Sequence, residues 1–201
     1  MTPIVDGSIH HFGATGLSNA LAVLGDEETW SSWDHITGEA FDGPLAGRRL
    51  PWWGITMTTA QAARVEQPDL RVLISDFRSL ASRVIGAASG NRIGGRGFIP
   101  PGMGLTMHAP PDPRLPKLTQ GLGVIDGEAA RFYPMAALMH GPVRDRWNDR
   151  TLVVTRGELD GVPRARWEDG TEPAMQLLSR WYGFSFTWPD CTVLEQGTEP
   201  A

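Results

Sequence analysis

Residues 121–138 read GLGVIDGEAARFYPMAAL, and the punctuation of that run decides the fold class. Asp126-Gly127 sits between apolar flanks, the signature of a tight hairpin, because glycine accepts the positive φ that such turns require. Gly121–Ile125 reads as the strand entering it. Pro134 then opens a short helix, expected over Pro134–Met139, at a first turn where its missing N–H is not needed. The same hairpin signal returns at Leu159-Asp160-Gly161-Val162.

Working outward, Gly and Pro punctuate the whole chain, and no long stretch keeps a 3.6-residue apolar period. Strands are expected at Ser8–Phe12, Ala20–Leu24, Leu70–Ile74, Thr151–Thr155, Phe184–Trp188 and Thr192–Leu194, and further short helices at Thr58–Val65, Asp76–Ile85 and Glu172–Tyr182. The expected class is mainly β (α+β): two related β-rich modules with short helices. The composition shifts to Gly and Pro between Gly86 and Pro116. That segment reads as a connection between a first module, 1–85, and a second, 117–201, packed on it. Pro68-Asp69-Leu70-Arg71-Val72-Leu73 is echoed by Pro189-Asp190-Cys191-Thr192-Val193-Leu194, as a duplication would leave.

The 201 residues are 41% apolar, enough for a sizeable core. No apolar run approaches the roughly 18 residues of a membrane span. A net charge of −5 argues against a nucleic-acid partner, which needs a basic face. The N-terminus shows no basic region followed by an apolar one, so a cytoplasmic location is expected. A homo-oligomer is compatible with all of this. Cys191, the lone cysteine, has no internal disulfide partner and is expected to pack rather than react. Eight tryptophans favour a rigid core or an aromatic-walled pocket.

Residues 26–47, DEETWSSWDHITGEAFDGPLAG, carry the most specific pattern. Asp26, Thr29, Ser31 and Trp33 are followed by Gly38-Glu39 and by Gly43-Pro44-Leu45-x-Gly47. This pattern resembles a bacterial and archaeal family catalogued as domain of unknown function 3179. The second half resembles it too, through residues 121–138, through PVRDRWNDRTLVVT at 142–155 with Asp145 at the family's aspartate, and through RWYGFSFTWPDCTVL at 180–194. The resemblance implies two related modules but no reaction. Many relatives carry a Cys-Pro-Leu-Cys just before the segment that here begins VDGSIHH, so thiolate chemistry cannot be carried over.

Polar chemistry then falls to other residues. His35 and Glu39, four apart on a glycine-rich turn, suit an acid/base pair or metal ligation. His10 and His11 are neighbours in an expected strand, where they point to opposite faces and cannot chelate one ion unless the strand bends. His11 is the one taken as catalytic or metal-binding. Met-x-x-x-Met-His occurs at Met103, Met107, His108 and again at Met135, Met139, His140. Thioether with imidazole suits Cu(I), which makes Met107 and His108 metal candidates. In the second copy Met135, Leu138 and Met139 share a helical face and read as core. Gly94-Gly95-Arg96-Gly97 lacks the Lys-Ser/Thr of a phosphate loop, and no Gly-x-Ser-x-Gly is present.

The expected function is that of a small-molecule enzyme. Trp33, Trp52, Trp53 and Trp181 wall its pocket, with Asp145 binding substrate. His11, His35 and Glu39 do acid/base work, or a copper or iron ion held by His11, His35, His108 and Met107 assists. The alternative is a non-catalytic β-rich module that binds a ligand or partner through its aromatics.

Overall fold

The computed structural model describes residues 3–51, 54–71, 84, 94–173 and 175–194. The chain packs as two units, Met1–Ile55 with Ile99–Pro111, and Thr56–Phe98 with Asp112–Ala201. Of the connection expected over 86–116, residues 99–111 therefore pack with the first unit and 112–116 with the second. Both units are β-rich, with short helices.

The first unit opens with β1 (Ile4–Val5) and β2 (Ser8–Ile9), joined by Asp6 and Gly7, both at positive φ. A four-stranded antiparallel meander follows: β3 (Phe12–Ser18), β4 (Leu21–Asp26), β5 (Ser32–Asp34) and β6 (Ala40–Asp42). The β3–β4 turn uses Asn19 and Ala20, again both at positive φ. A 3-10 turn at Met103–Thr106 secures it, the Thr106 carbonyl accepting from Asn19 N–H and its hydroxyl from Ala20 N–H. Val5, Trp33, Ala40 and Leu50 form the core, with Phe12 edge-on to Trp33 at 5.6 Å.

In the second unit α1 (Ala60–Glu66) is capped by the Thr59 hydroxyl. Seven strands follow: β7 (Gln120–Asp126), β8 (Ala129–Pro134), β9 (Val143–Trp147), β10 (Arg150–Arg156), β11 (Pro163–Trp167), β12 (Met175–Arg180) and β13 (Thr192–Val193). They form a four-stranded sheet in the order β12-β7-β8-β13 and a three-stranded sheet in the order β11-β10-β9. The Asp126-Gly127 hairpin is present, Asp126 pairing with Ala129 across a two-residue loop. At Asp160-Gly161 a six-residue connection joins β10 to β11.

Two expected elements are corrected. The helix expected over Glu172–Tyr182 is strand β12, paired with β7 from Met175↔Ile125 to Arg180↔Gln120. The strand expected over Phe184–Trp188 belongs to helix α2 (Trp181–Thr187) and its end. Phe-Ser-Phe-Thr-Trp alternates like a strand, but Trp181, Phe184 and Trp188 are also spaced i, i+3, i+7, and that helical stripe enters the core. Gly123 makes room for it, since a Cβ there would lie 2.1 Å from Phe184 Cε2. Met139 is corrected as well. Met135–Leu138 is a 3-10 turn, in which i and i+3 eclipse. Met135 and Leu138 are buried together, while Met139 is exposed. The helix expected over Asp76–Ile85 and the strand over Leu70–Ile74 fall largely outside the described residues.

Candidate functional site

The turn after β4 shows what the Asp-Thr-Ser-Trp spacing does. Asp26 ends the strand, almost wholly buried, and its carboxylate gathers the next seven residues around itself. Thr29 donates to it from its N–H (2.7 Å) and its hydroxyl (2.8 Å), and Trp33 donates its indole N–H to Oδ2 (2.8 Å). The Thr29 and Ser31 hydroxyls bond at 2.7 Å, and Ser31 Oγ accepts from Leu45 N–H at 3.1 Å. Gly43 follows from the same packing, because it has φ +90° and a Cβ there would lie 2.7 Å from Ser31 Cα. Most of the signature is thus a clamp that closes one turn on another.

The rear of the clamp faces two imidazoles. Residues 10 and 11 fall in the break between β2 and β3, so their neighbours' strand geometry does not hold them to opposite faces. His10 is buried, its ring beside Phe12 and its Nδ1 3.3 Å from Asp26 Oδ1 and 3.8 Å from Glu28 Oε2. His11 is open to solvent, with a side chain 72% exposed, and bonds the same glutamate: Nδ1 to Oε1 at 2.6 Å and backbone N–H to Oε2 at 2.9 Å. Glu28 therefore bridges a buried imidazole and an exposed one.

Burial would raise the Asp26 carboxyl, but the hydrogen bonds from Trp33, Thr29 and His10 outweigh it and hold the group below the usual carboxylate range. The bonds from His11 lower Glu28, and Glu28 in turn raises His11 above the ordinary imidazole value.

The other expected residues go elsewhere. His35, half-buried, directs Nδ1 at the Ala22 carbonyl (2.7 Å); a carbonyl only accepts, so Nδ1 carries the proton. Glu39 is half-buried and pairs with Arg49 at 2.6 Å, so these two residues serve different partners. His108, exposed, lies 3.3 Å from Ser18 Oγ through Nε2 and follows the half-buried Met107. Trp33 and Trp181 are buried in the cores of different units, 1% and 0% exposed. The Trp181 indole donates to the Asp112 carbonyl at 2.9 Å. Trp52 and Trp53 lie outside the described residues. Asp145 Oδ2 accepts from Arg131 (2.5 Å), the Tyr133 hydroxyl (2.5 Å) and the Trp147 indole (3.1 Å). Burial, with the bond to Asp145 adding to it, raises the Tyr133 phenol well above its ordinary value.

Reading the sequence passed over Glu28, and it named His10 and Asp26 without joining them into a site. Their signal was an aspartate opening the Thr-Ser-Trp pattern and a glutamate two residues on, opposite a His-His pair one strand earlier. Among the described residues, no helix is long and apolar enough to cross a membrane. Comparison with curated proteins and with solved structures returned no match. The family model described as "Protein of unknown function (DUF3179)" matches residues 2–180, and the chain belongs to that family.

Proposed function

We propose that this chain is a small-molecule enzyme whose proton-transfer chemistry is centred on His11 and Glu28. The supporting observation is that one glutamate carboxylate holds an exposed imidazole by Nδ1 while resting against a buried His10–Asp26 pair. With Nδ1–H donated to Glu28, His11 presents Nε2 to solvent as the atom that takes or gives a proton, the arrangement general acid–base catalysis needs. His10 and Asp26 position Glu28 from behind. The test is a screen of hydrolytic, lyase and isomerase substrates against the wild type, His11→Gln and Glu28→Gln, with melting curves to confirm folding. Positioned acid–base groups contribute about 10²–10⁴-fold, so turnover should fall by that order in His11→Gln. Turnover equal in all three proteins refutes the reading.

A second reading, a non-catalytic binding module, draws on Trp30. This indole is 82% exposed at the tip of the same turn, with its backbone at φ +59°. A bulky residue held in that region is uncommon and points to a use for the side chain. Ligand-dependent quenching of tryptophan fluorescence that Trp30→Ala abolishes and His11→Gln leaves unchanged would favour binding over catalysis.

A further inference from the structure

The inner layer of the same cluster has a chemistry of its own. Among the described residues it is the one place where three ligand atoms from His, Cys, Asp or Glu converge, all within 4.8 Å of one another. We propose that His10 Nδ1, Asp26 Oδ1 and Glu28 Oε2 bind one divalent transition-metal ion, with its remaining positions open on the side of Glu28. This deepens the reading above by naming the ion that its site takes.

Metal–nitrogen and metal–oxygen bonds of about 2.0–2.2 Å put neighbouring ligand atoms roughly 2.9–3.5 Å apart. The 3.3 Å between His10 Nδ1 and Asp26 Oδ1 lies inside that range and is long for an N–H···O hydrogen bond. The 3.8 Å to Glu28 Oε2 needs a closure of a few tenths of an ångström, which a side chain 34% exposed can make. The buried pair is the rigid part and the glutamate the adjustable one.

An ionised carboxylate has about four lone-pair directions. The Thr29 N–H bonds Oδ1, the Trp33 N–H bonds Oδ2 and the Thr29 hydroxyl lies 2.8 Å from both, so the Asp26 carboxylate is fixed with Oδ1 3.3 Å from the imidazole. Outer-shell hydrogen bonds of this kind fix metal-ligating carboxylates. Glu28 is held the same way, with the His11 ring on Oε1 and the His11 N–H on Oε2, the oxygen that also faces His10. Charge points in the same direction, since two carboxylates face a single inner imidazole.

The donor set also selects the ion. One imidazole nitrogen with two carboxylate oxygens suits Fe(II), Mn(II) or Zn(II), whereas Cu(I) prefers thiolate and thioether. His108, bonded at the β3–β4 turn, and its neighbour Met107 are not part of this set.

The test uses tag-free full-length protein stripped with chelator. It is titrated separately with Zn(II), Mn(II) and anaerobic Fe(II), reading stoichiometry by metal analysis after gel filtration and affinity by calorimetry. One equivalent of at least one of the three ions is expected. Glu28→Gln and His10→Gln should weaken binding by more than the roughly 10–100-fold that outer-shell partners alone command. His108→Ala should leave it unchanged. Glu28 is partly exposed, so its variant should keep its circular dichroism and melting curve even if His10→Gln does not fold. Failure of the wild type to bind any of the three ions overturns the proposal, as does binding that folded Glu28→Gln retains in full. His11-dependent turnover in protein that binds none of the three ions would overturn it while leaving the acid–base reading intact. Metal binding without turnover would support the site and defeat that reading.

Discussion

Asp26→Asn is the most informative single change, because it keeps size and shape while removing the charge at the centre of the clamp. In the wild type the two carboxylate oxygens accept from Thr29 N–H, the Thr29 hydroxyl and the buried Trp33 indole. An asparagine has only one acceptor oxygen. If that oxygen stays with Thr29, the amide NH2 faces the Trp33 indole N–H, donor against donor. A hydrogen bond to a charged group is worth about 1.5–3 kcal/mol, and a buried donor left unpaired costs about 1–3 kcal/mol. The expected loss is therefore about 3–5 kcal/mol, a large share of the roughly 5–15 kcal/mol that holds a domain together. Urea unfolding of chelator-treated protein, followed by tryptophan fluorescence and far-ultraviolet circular dichroism, reads this directly. Trp33→Phe removes the same indole N–H from the other side. The double variant should then recover about 1–3 kcal/mol relative to the sum of the singles. A loss below about 0.5 kcal/mol in Asp26→Asn, or additive singles, would show that the clamp is not what holds the turn, since that is the range of ordinary surface changes.

Three further outcomes test the second unit. Gly123→Ala places a Cβ 2.1 Å from Phe184 Cε2, so helix α2 must lift from its sheet; the expected cost is about 1–3 kcal/mol, read as a fall in melting temperature. Tyr133→Phe removes the hydroxyl that donates to Asp145 and accepts from Trp147, and should cost about 2 kcal/mol, because the Trp147 indole keeps Asp145 as a second acceptor. At Asp160, burial pushes the carboxyl up. The Val162 N–H, the Thr58 hydroxyl and the Arg164 guanidinium outweigh it and leave the group below its ordinary value. A lowered folded value means stability that is complete above the unfolded value, about 4, and lost as pH falls below it. Melting curves from pH 6 to pH 2 should show that loss, and Asp160→Asn should be less stable at pH 6 but flatter below pH 4.

What the sequence made legible follows from how local the cause is. The Asp126-Gly127 hairpin was readable because the turn chemistry is complete within four residues. The 184–188 segment was not, since Phe-Ser-Phe-Thr-Trp satisfies both a period of 2 and a helical stripe, and only packing against Phe132 and Gly123 decides between them. The site divides the same way. That two histidines stand side by side is visible in sequence; that the strand breaks beneath them, so that both meet Glu28, depends on β2 pairing back onto β1 while β3 pairs with β4. Trp33 was expected to wall a pocket, and its indole N–H is instead turned to the Asp26 carboxylate.

The two units solve one problem in the same way, and this bears on how the family signature should be read. Each buries a tryptophan beside an aspartate that takes its indole N–H: Trp33 with Asp26, and Trp147 with Asp145. A buried indole N–H without a partner is costly, and a carboxylate is the strongest acceptor a side chain offers. Each carboxylate is then held in place by further partners: Thr29 and His10 for Asp26, Arg131 and Tyr133 for Asp145. The specific residues of the signature are thus accounted for by folding, and loss of activity on replacing Thr29, Ser31 or Trp33 would not by itself locate a site. The diagnostic residues are those whose polar atoms the fold leaves over. In the first unit these are the exposed imidazole of His11, the outer face of Glu28 and the exposed Trp30, adjoining the one carboxylate that the clamp has already fixed in place.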